Sequence, residues 1–263
     1  MLTLWVALLS MPVTEVPPRF LCLAETYPGI VNGVVKASDG RLWVQLAGER
    51  PLLWDDGIDP KSAAQRLAVP DLEDTLSTPY PVGRQSSAPA PGNDPGRIRV
   101  DAWLRALYGT DPRSVEAALE TVEWMPRHGG KRLRFNGRNG AAAALRRVSA
   151  DLDRLPTRFH RYVTVTAGTF NWRRIKGTTR LSAHAFAIAI DINVEFTDYW
   201  RWAKRPGKPL AYRNRIPYEV VEIFERHGFI WGGKWHHFDT MHFEYRPELL
   251  HPNCAVQDTV HVR

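Results

Sequence analysis

The run AIAIDIN at 187–193 limits the fold more than any other stretch of the chain. As a strand it turns Ile188, Ile190 and Ile192 to one side and Ala187, Ala189, Asp191 and Asn193 to the other. The isoleucines demand a core. The opposite face is a floor of small side chains leading to a carboxylate, with open space above it for a ligand or a metal. His184 stands an odd number of positions before Asp191, so it reaches the carboxylate's side only if the chain bends near Ala185 or Phe186. A second stretch, GGKWHHFDTMHFEYRPEL, places His236, His237, Asp239, His242 and Glu244 within nine residues. With MHFEY as a strand, His242 and Glu244 share one face. Two strands that are each polar on one face can pair and bring their side chains together.

Composition sets the frame for that site. The chain has 263 residues, 44% of them hydrophobic, enough for one large domain or a domain with an extension. A formal charge of +7 and a pI near 9.6 favour acidic partners: nucleic acid, an anionic membrane surface or an anionic cell-wall polymer. Arg and Lys are spread from Arg97 to Arg246, so a soluble basic surface is expected and a dedicated nucleic-acid patch is not. Cys22 and Cys254 lie outside any C-x-x-C pattern and either bridge the two ends or remain free thiols. The apolar run Leu2–Leu9 is too short to span a bilayer; it reads as the core of an export leader or as a buried strand. No longer apolar run follows, so no integral membrane segment is expected.

Along the chain, GVVKASDGRLWVQL predicts two strands around the turn Ser38-Asp39-Gly40. STPYPVGRQSSAPAPGNDPG, from Ser77 to Gly96, predicts an extended, poorly packed connector and the best domain boundary. The expected organisation is a leader or N-terminal segment over 1–29, a strand-containing extension and linker over 30–96, and a catalytic domain over 97–263. Asp111-Pro112 predicts a capped helix start with Val115, Leu119 and Val122 on one stripe. Ala141, Leu145, Val148, Leu152 and Leu155 predict a helix stopped by Pro156. RYVTVTAG predicts a strand with Val163 and Val165 on one side, and Pro217 opens a helix that Gly228 ends, with His227 a packed ring or C-terminal charge. Trp43 and Trp54 are expected to pack rather than to bind sugar.

A catalytic zinc generally takes three protein ligands and keeps one position open. His184, Asp191 and His242 suit that ion. Asp239, three residues before His242, is placed to accept a proton from attacking water, and His237 or an arginine to hold a developing oxyanion.

The ordered pair S-x-H-x-x-x-x-A-x-D, at Ser182, His184, Ala189 and Asp191, and H-x-D-x-x-H, at His237, Asp239 and His242, resembles the zinc D-alanyl-D-alanine carboxypeptidases and L-alanyl-D-glutamate endopeptidases, the VanY-like peptidases. The resemblance runs from about Tyr162 to Leu249. It implies an α+β fold of the type shared with the hedgehog signalling domain: a small antiparallel sheet carrying the metal site, with helices packed on it. It also implies zinc as cofactor, with His184, Asp191 and His242 as ligands, Asp239 as catalytic base and His237 in transition-state stabilisation. Arg173 is the implied arginine for the substrate carboxylate or carbonyl, with Arg180 and Ser182 as further substrate-binding candidates. The implied partners are peptidoglycan stem peptides, with no role for nucleic acid, and the implied location is exported, periplasmic or wall-associated. D-Ala-D-Ala carboxypeptidase activity is the first expectation; an L-Ala-D-Glu endopeptidase and a non-catalytic wall-binding domain are the alternatives. One departure is Ala187, where the family usually has Gly, so a methyl must fit where backbone or ligand approaches closely.

Overall fold

The computed structural model describes residues 11–12 and 17–254. The run Leu2–Leu9 lies outside the described residues. The architecture is α+β, with three small antiparallel sheets.

The first sheet orders β1 (Met11–Pro12), β2 (Val31–Lys36), β3 (Leu42–Leu46) and β4 (Leu52–Asp55) in sequence. β2 and β3 form the hairpin expected around Ser38-Asp39-Gly40, where Gly40 takes a positive φ of 86° and Asp39 accepts from the Arg41 N–H and guanidinium. Val34, Val44 and Trp54 turn inward, and Trp54 meets Phe20 edge-on at 6.0 Å, so this tryptophan packs. Phe20 belongs to helix α1 (Pro18–Thr26), which also carries Cys22. Cys22 is disulfide-bonded to Cys254, fastening the N-terminal helix to the chain's far end.

Helices α2 (Ala63–Ala68), α3 (Asp101–Tyr108) and α4 (Pro112–Ala117) follow, then a hairpin of β5 (Leu119–Trp124) and β6 (Lys131–Asn136). Asp111 caps α4 as predicted, accepting from Arg113 N–H and Ser114 N–H. The predicted stripe, however, is broken: α4 ends at Ala117, and Leu119 and Val122 lie on β5. Three apolar residues at helical spacing were outweighed by the β-formers Thr121, Val122 and Trp124, whose backbone pairs with β6. Helix α5 (Ala141–Leu152) ends four residues before Pro156, with Leu145, Val148 and Leu152 fully buried.

The third sheet carries the polar strands. β7 (Thr166–Gly168), β8 (Ala189–Ile192), β9 (Phe229–Trp231) and β10 (His242–Tyr245) order β7-β8-β10-β9, all antiparallel. Its apolar face packs on helix α7 (Tyr218–Arg226), where Phe224 stacks on Phe243 at 3.8 Å; the four-residue helix α6 (Trp200–Ala203) lies on the loop between. His227 closes α7 and pairs with Asp151 at 2.8 Å, a packing role. The strand predicted over RYVTVTAG is shorter than expected. A 3₁₀ turn over Thr157–Tyr162 takes its first residues, Val163 donates back to His160 O, and Val165 is left half exposed.

From Ser77 to Val100 the chain is irregular, as its Pro, Ser and Gly content dictates, but it is pinned rather than loose. Tyr80 Oη donates to Glu225 at 2.6 Å, and Lys234 Nζ donates to the carbonyls of Pro81 and Gly83 at 2.6 and 2.7 Å. Gly96 lies against the side-chain tips of Ile230 and Leu249 at a φ of +81°, a backbone conformation that favours glycine. The segment is a strap over α7 and β9. Basic charge is also less evenly spread than expected: between Trp200 and Arg215 stand Arg201, Lys204, Arg205, Lys208, Arg213 and Arg215, with no acidic residue.

Candidate metal centre

The bend that His184 requires is present. Ser182 Oγ caps the single 3₁₀ turn Ala183–Phe186, accepting from His184 N–H, and Ala187 then takes the left-handed conformation (φ 53°, ψ 40°) that turns the chain into β8. A left-handed alanine costs about 1–2 kcal/mol, which explains why glycine suits this position; the cost is carried by a turn whose residues are fully buried. On β8, Asp191 pairs directly across the sheet with His242 of β10. Neighbouring strands bring facing side chains within reach of one another, and the turn adds the third group.

The three acceptor atoms form a tight triangle. His242 Nδ1 lies 2.8 Å from Asp191 Oδ1, and His184 Nε2 lies 3.2 Å from Asp191 Oδ1 and 3.2 Å from His242 Nδ1. Each imidazole spends its other nitrogen on an acceptor behind it: His184 Nδ1 donates to Thr169 O at 3.0 Å, and His242 Nε2 donates to Glu244 Oε1 at 2.8 Å. That fixes which nitrogen of each ring faces the triangle. A tetrahedral zinc at about 2.0–2.1 Å from N and O ligands separates them by roughly 3.3 Å, close to the spacing found. The donor set, two neutral imidazoles and a carboxylate, fits the ion. A second group of carboxylates, Asp55, Asp56 and Asp71, also draws close together, but Lys61 Nζ sits 2.9 Å from Asp56 and 2.7 Å from Asp71, supplying the cation itself.

Electrostatics match the geometry. Burial works against ionisation of Asp191, but hydrogen bonds from His184 and His242 overcome it and hold the carboxyl far below its ordinary range. Burial likewise opposes a charge on His242, yet Asp191 and Glu244 push its pKa up to about 10. Metal binding would replace that proton, since a ligand imidazole must be neutral. Asp239 behaves oppositely: burial pushes it up to about 6, the Asp191 charge adds to this, and His242, His184 and Arg97 oppose it. Its Oδ1 is buried with no hydrogen-bond partner among the described residues. The residue is held by its backbone, through Asp239 N–H to Gly232 O and His242 N–H to Asp239 O. At Gly232 any Cβ would come within 2.5 Å of Asp239 O, so the approach needs glycine.

Behind His242 lies a buried ionic chain. Glu244 is fully buried and paired with Arg99 and Arg246; Arg246 pairs with Glu248 at 2.5 Å, and Glu248 accepts from Tyr27, the residue that caps the end of α1, at 2.6 Å. Burial opposes ionisation of Glu244, but the Arg99 charge and the His242 hydrogen bond keep it at about 2. A charged Glu244 holds the His242 ring, and Arg99 and Arg246 hold Glu244.

The remaining candidates lie farther out. His237 does not contact the triangle; its Nδ1 pairs with Asp94 at 2.6 Å and its ring meets Trp200 edge-on at 4.7 Å. His236 donates its N–H to Asn93 O. Arg173 is exposed, and its carbonyl accepts from Ser182 N–H. Arg180 is half buried and donates to Arg97 O at 2.6 Å. Ser182 is buried, with its hydroxyl on the His184 N–H. Sequence reasoning missed Asp94, Arg97 and Arg99, which reach the centre from the strap, and no local pattern marks them. An arginine within electrostatic reach of Asp239 is Arg97.

No curated protein and no solved structure matches this chain. Residues 176–245, the stretch that takes in His184, Asp191, Asp239 and His242, match a peptidase family model described as D-alanyl-D-alanine carboxypeptidase, which supports a hydrolytic enzyme.

Proposed function

We propose that the chain is a zinc-dependent peptidase acting on peptidoglycan stem peptides, first of all as a D-alanyl-D-alanine carboxypeptidase. The observation that carries this reading is the triangle of His184 Nε2, Asp191 Oδ1 and His242 Nδ1, each imidazole oriented from behind, beside a buried carboxyl with an unpartnered oxygen. The peptidase family match over the same residues supports it.

Zinc bound there supplies Lewis acidity, which polarises an amide carbonyl and acidifies water. Asp239 accepts the proton as water attacks the carbonyl carbon, and returns it to the amine nitrogen as the C–N bond breaks. A base with a pKa near the working pH does both steps, and burial has moved Asp239 in that direction. The cation of Arg97, which acts on Asp239, is suited to a developing oxyanion or a substrate carboxylate, while His237, whose Nδ1 is held by Asp94, offers its other ring nitrogen to the substrate. Arg173, Arg180 and Ser182 remain substrate-binding candidates, Ser182 acting through the turn that it caps.

The same reading has the chain working outside the cytoplasm. A disulfide between Cys22 and Cys254 suits an oxidising compartment, and among the described residues no helix is long and apolar enough to cross a membrane.

The test is mass spectrometry of muropeptides digested with the zinc-loaded protein. Loss of terminal D-Ala is expected. A break between L-Ala and D-Glu would move the substrate to the endopeptidase alternative, and intact muropeptides would favour a wall-binding domain.

A further inference from the structure

We infer that Asp94, on the strap, is a positioning residue for His237, so that the segment read from composition as a loose connector completes the active site. The inference rests on the peptidase reading above.

The carboxylate of Asp94 grips one residue twice. Oδ1 accepts from His237 N–H at 2.8 Å and Oδ2 from the ring's Nδ1–H at 2.6 Å. Beside it, His236 N–H donates to Asn93 O at 2.8 Å, so two consecutive residues of the catalytic loop are hung on two consecutive residues of the strap. Arg97 Nη1 stands 3.3 Å from the same Oδ2 and adds a cation to the pair. Trp200 closes the ring's other side at 4.7 Å. The His237 side chain is 34% exposed. A ring that open has little packing to fix it, so its orientation comes from these partners.

A carboxylate on Nδ1 sets the tautomer as well as the angle: Nδ1 carries a proton, and Nε2, which has no partner among the described residues, is the nitrogen left for substrate. This is the logic by which a third group orients a catalytic histidine. The strap cannot drift away from this duty, because Gly96, two residues on, lies against Ile230 and Leu249 and the Lys234 and Tyr80 bonds hold its other end.

The experiment uses the full, zinc-loaded chain with Asp94→Ala and Asp94→Asn, each alone and combined with His237→Ala. Asp94→Ala is expected to lower kcat about 10- to 100-fold, the cost of misplacing a catalytic group by an ångström, with KM and zinc content unchanged. In the His237→Ala background it should cost nothing further. Asp94→Asn keeps the size but turns an amide N–H toward Nδ1, so the His237 tautomer should switch, read by ¹⁵N NMR of the imidazole whether or not the protein turns over. Full kcat in Asp94→Ala, an equal loss in the His237→Ala background, or an unchanged tautomer in Asp94→Asn would overturn the assignment. A wild-type protein with no turnover would instead count against the peptidase reading, while the NMR result still judges Asp94.

Discussion

Asp239→Asn is expected to lose about 10²- to 10⁴-fold in kcat, the usual share of a general base, while still binding zinc. The substitution changes one atom's chemistry and almost no volume. Asp239 lies outside the ligand triangle, so its loss should not free the metal, and an amide cannot accept the proton of an attacking water. The unpartnered, buried Oδ1 is the atom that the variant would neutralise. The pH dependence carries the same signature. Burial raises Asp239 from 3.8 to about 6, and the charge of a bound dication draws it back down, so kcat/KM should rise with pH along an acid limb between about pH 4 and 6. The sign follows from the role: a base works ionised, so activity is lost as pH falls through its pKa. Steady-state kinetics at saturating zinc check both points. Wild-type rates in Asp239→Asn, or rates that climb as the pH drops below about 5, would remove the residue from catalysis.

Removing the disulfide is expected to have the largest effect on stability. Cys22 and Cys254 are 232 residues apart in sequence, and chain-entropy accounting assigns a cross-link over so long a loop about 5–6 kcal/mol. For a chain of this size that corresponds to a fall in Tm of about 10–20 °C. Both sulfurs are buried between α1 and the C-terminal turn, beside the Tyr27–Glu248 bond that ends the ionic chain behind His242. Cys22→Ala/Cys254→Ala should therefore loosen the N-terminal helix before it disturbs the triangle. Thermal unfolding, with and without reductant, measures the difference. A double variant that melts with the wild type would mean that packing alone holds the two ends together.

The centre of the fold was legible because its signal is local. Alternation in AIAIDIN and in MHFEY assigns a core face and a polar face to each strand, and the odd spacing of His184 and Asp191 required a bend, which Ala187 makes with a positive φ. Hairpins, capped helices and the stop before Pro156 follow from turn and cap chemistry over a few residues. Other features depend on partners far away. Leu119 and Val122 satisfy a helical period, and only pairing with Lys131–Asn136 reveals a strand. Ser77–Gly96 has the composition of a linker, and its anchors, Glu225 and Lys234 among them, lie more than a hundred residues on. His237 is conspicuous in the sequence, but its carboxylate partner sits 143 residues earlier. Glu244 was legible as a neighbour of His242 on one strand face, whereas Arg99, which neutralises it, was not. Period and spacing identify which side chains a strand presents; they do not identify what a distant segment brings to them.

Calorimetric titration of zinc into the metal-free full chain tests the central claim most directly. One zinc per chain is expected for the wild type and for Asp239→Asn, with tight binding abolished in His184→Ala, Asp191→Ala and His242→Ala. A wild-type protein that takes up no zinc, or ligand variants that bind it as well as the wild type does, would contradict the claim that these three side chains grip a single ion.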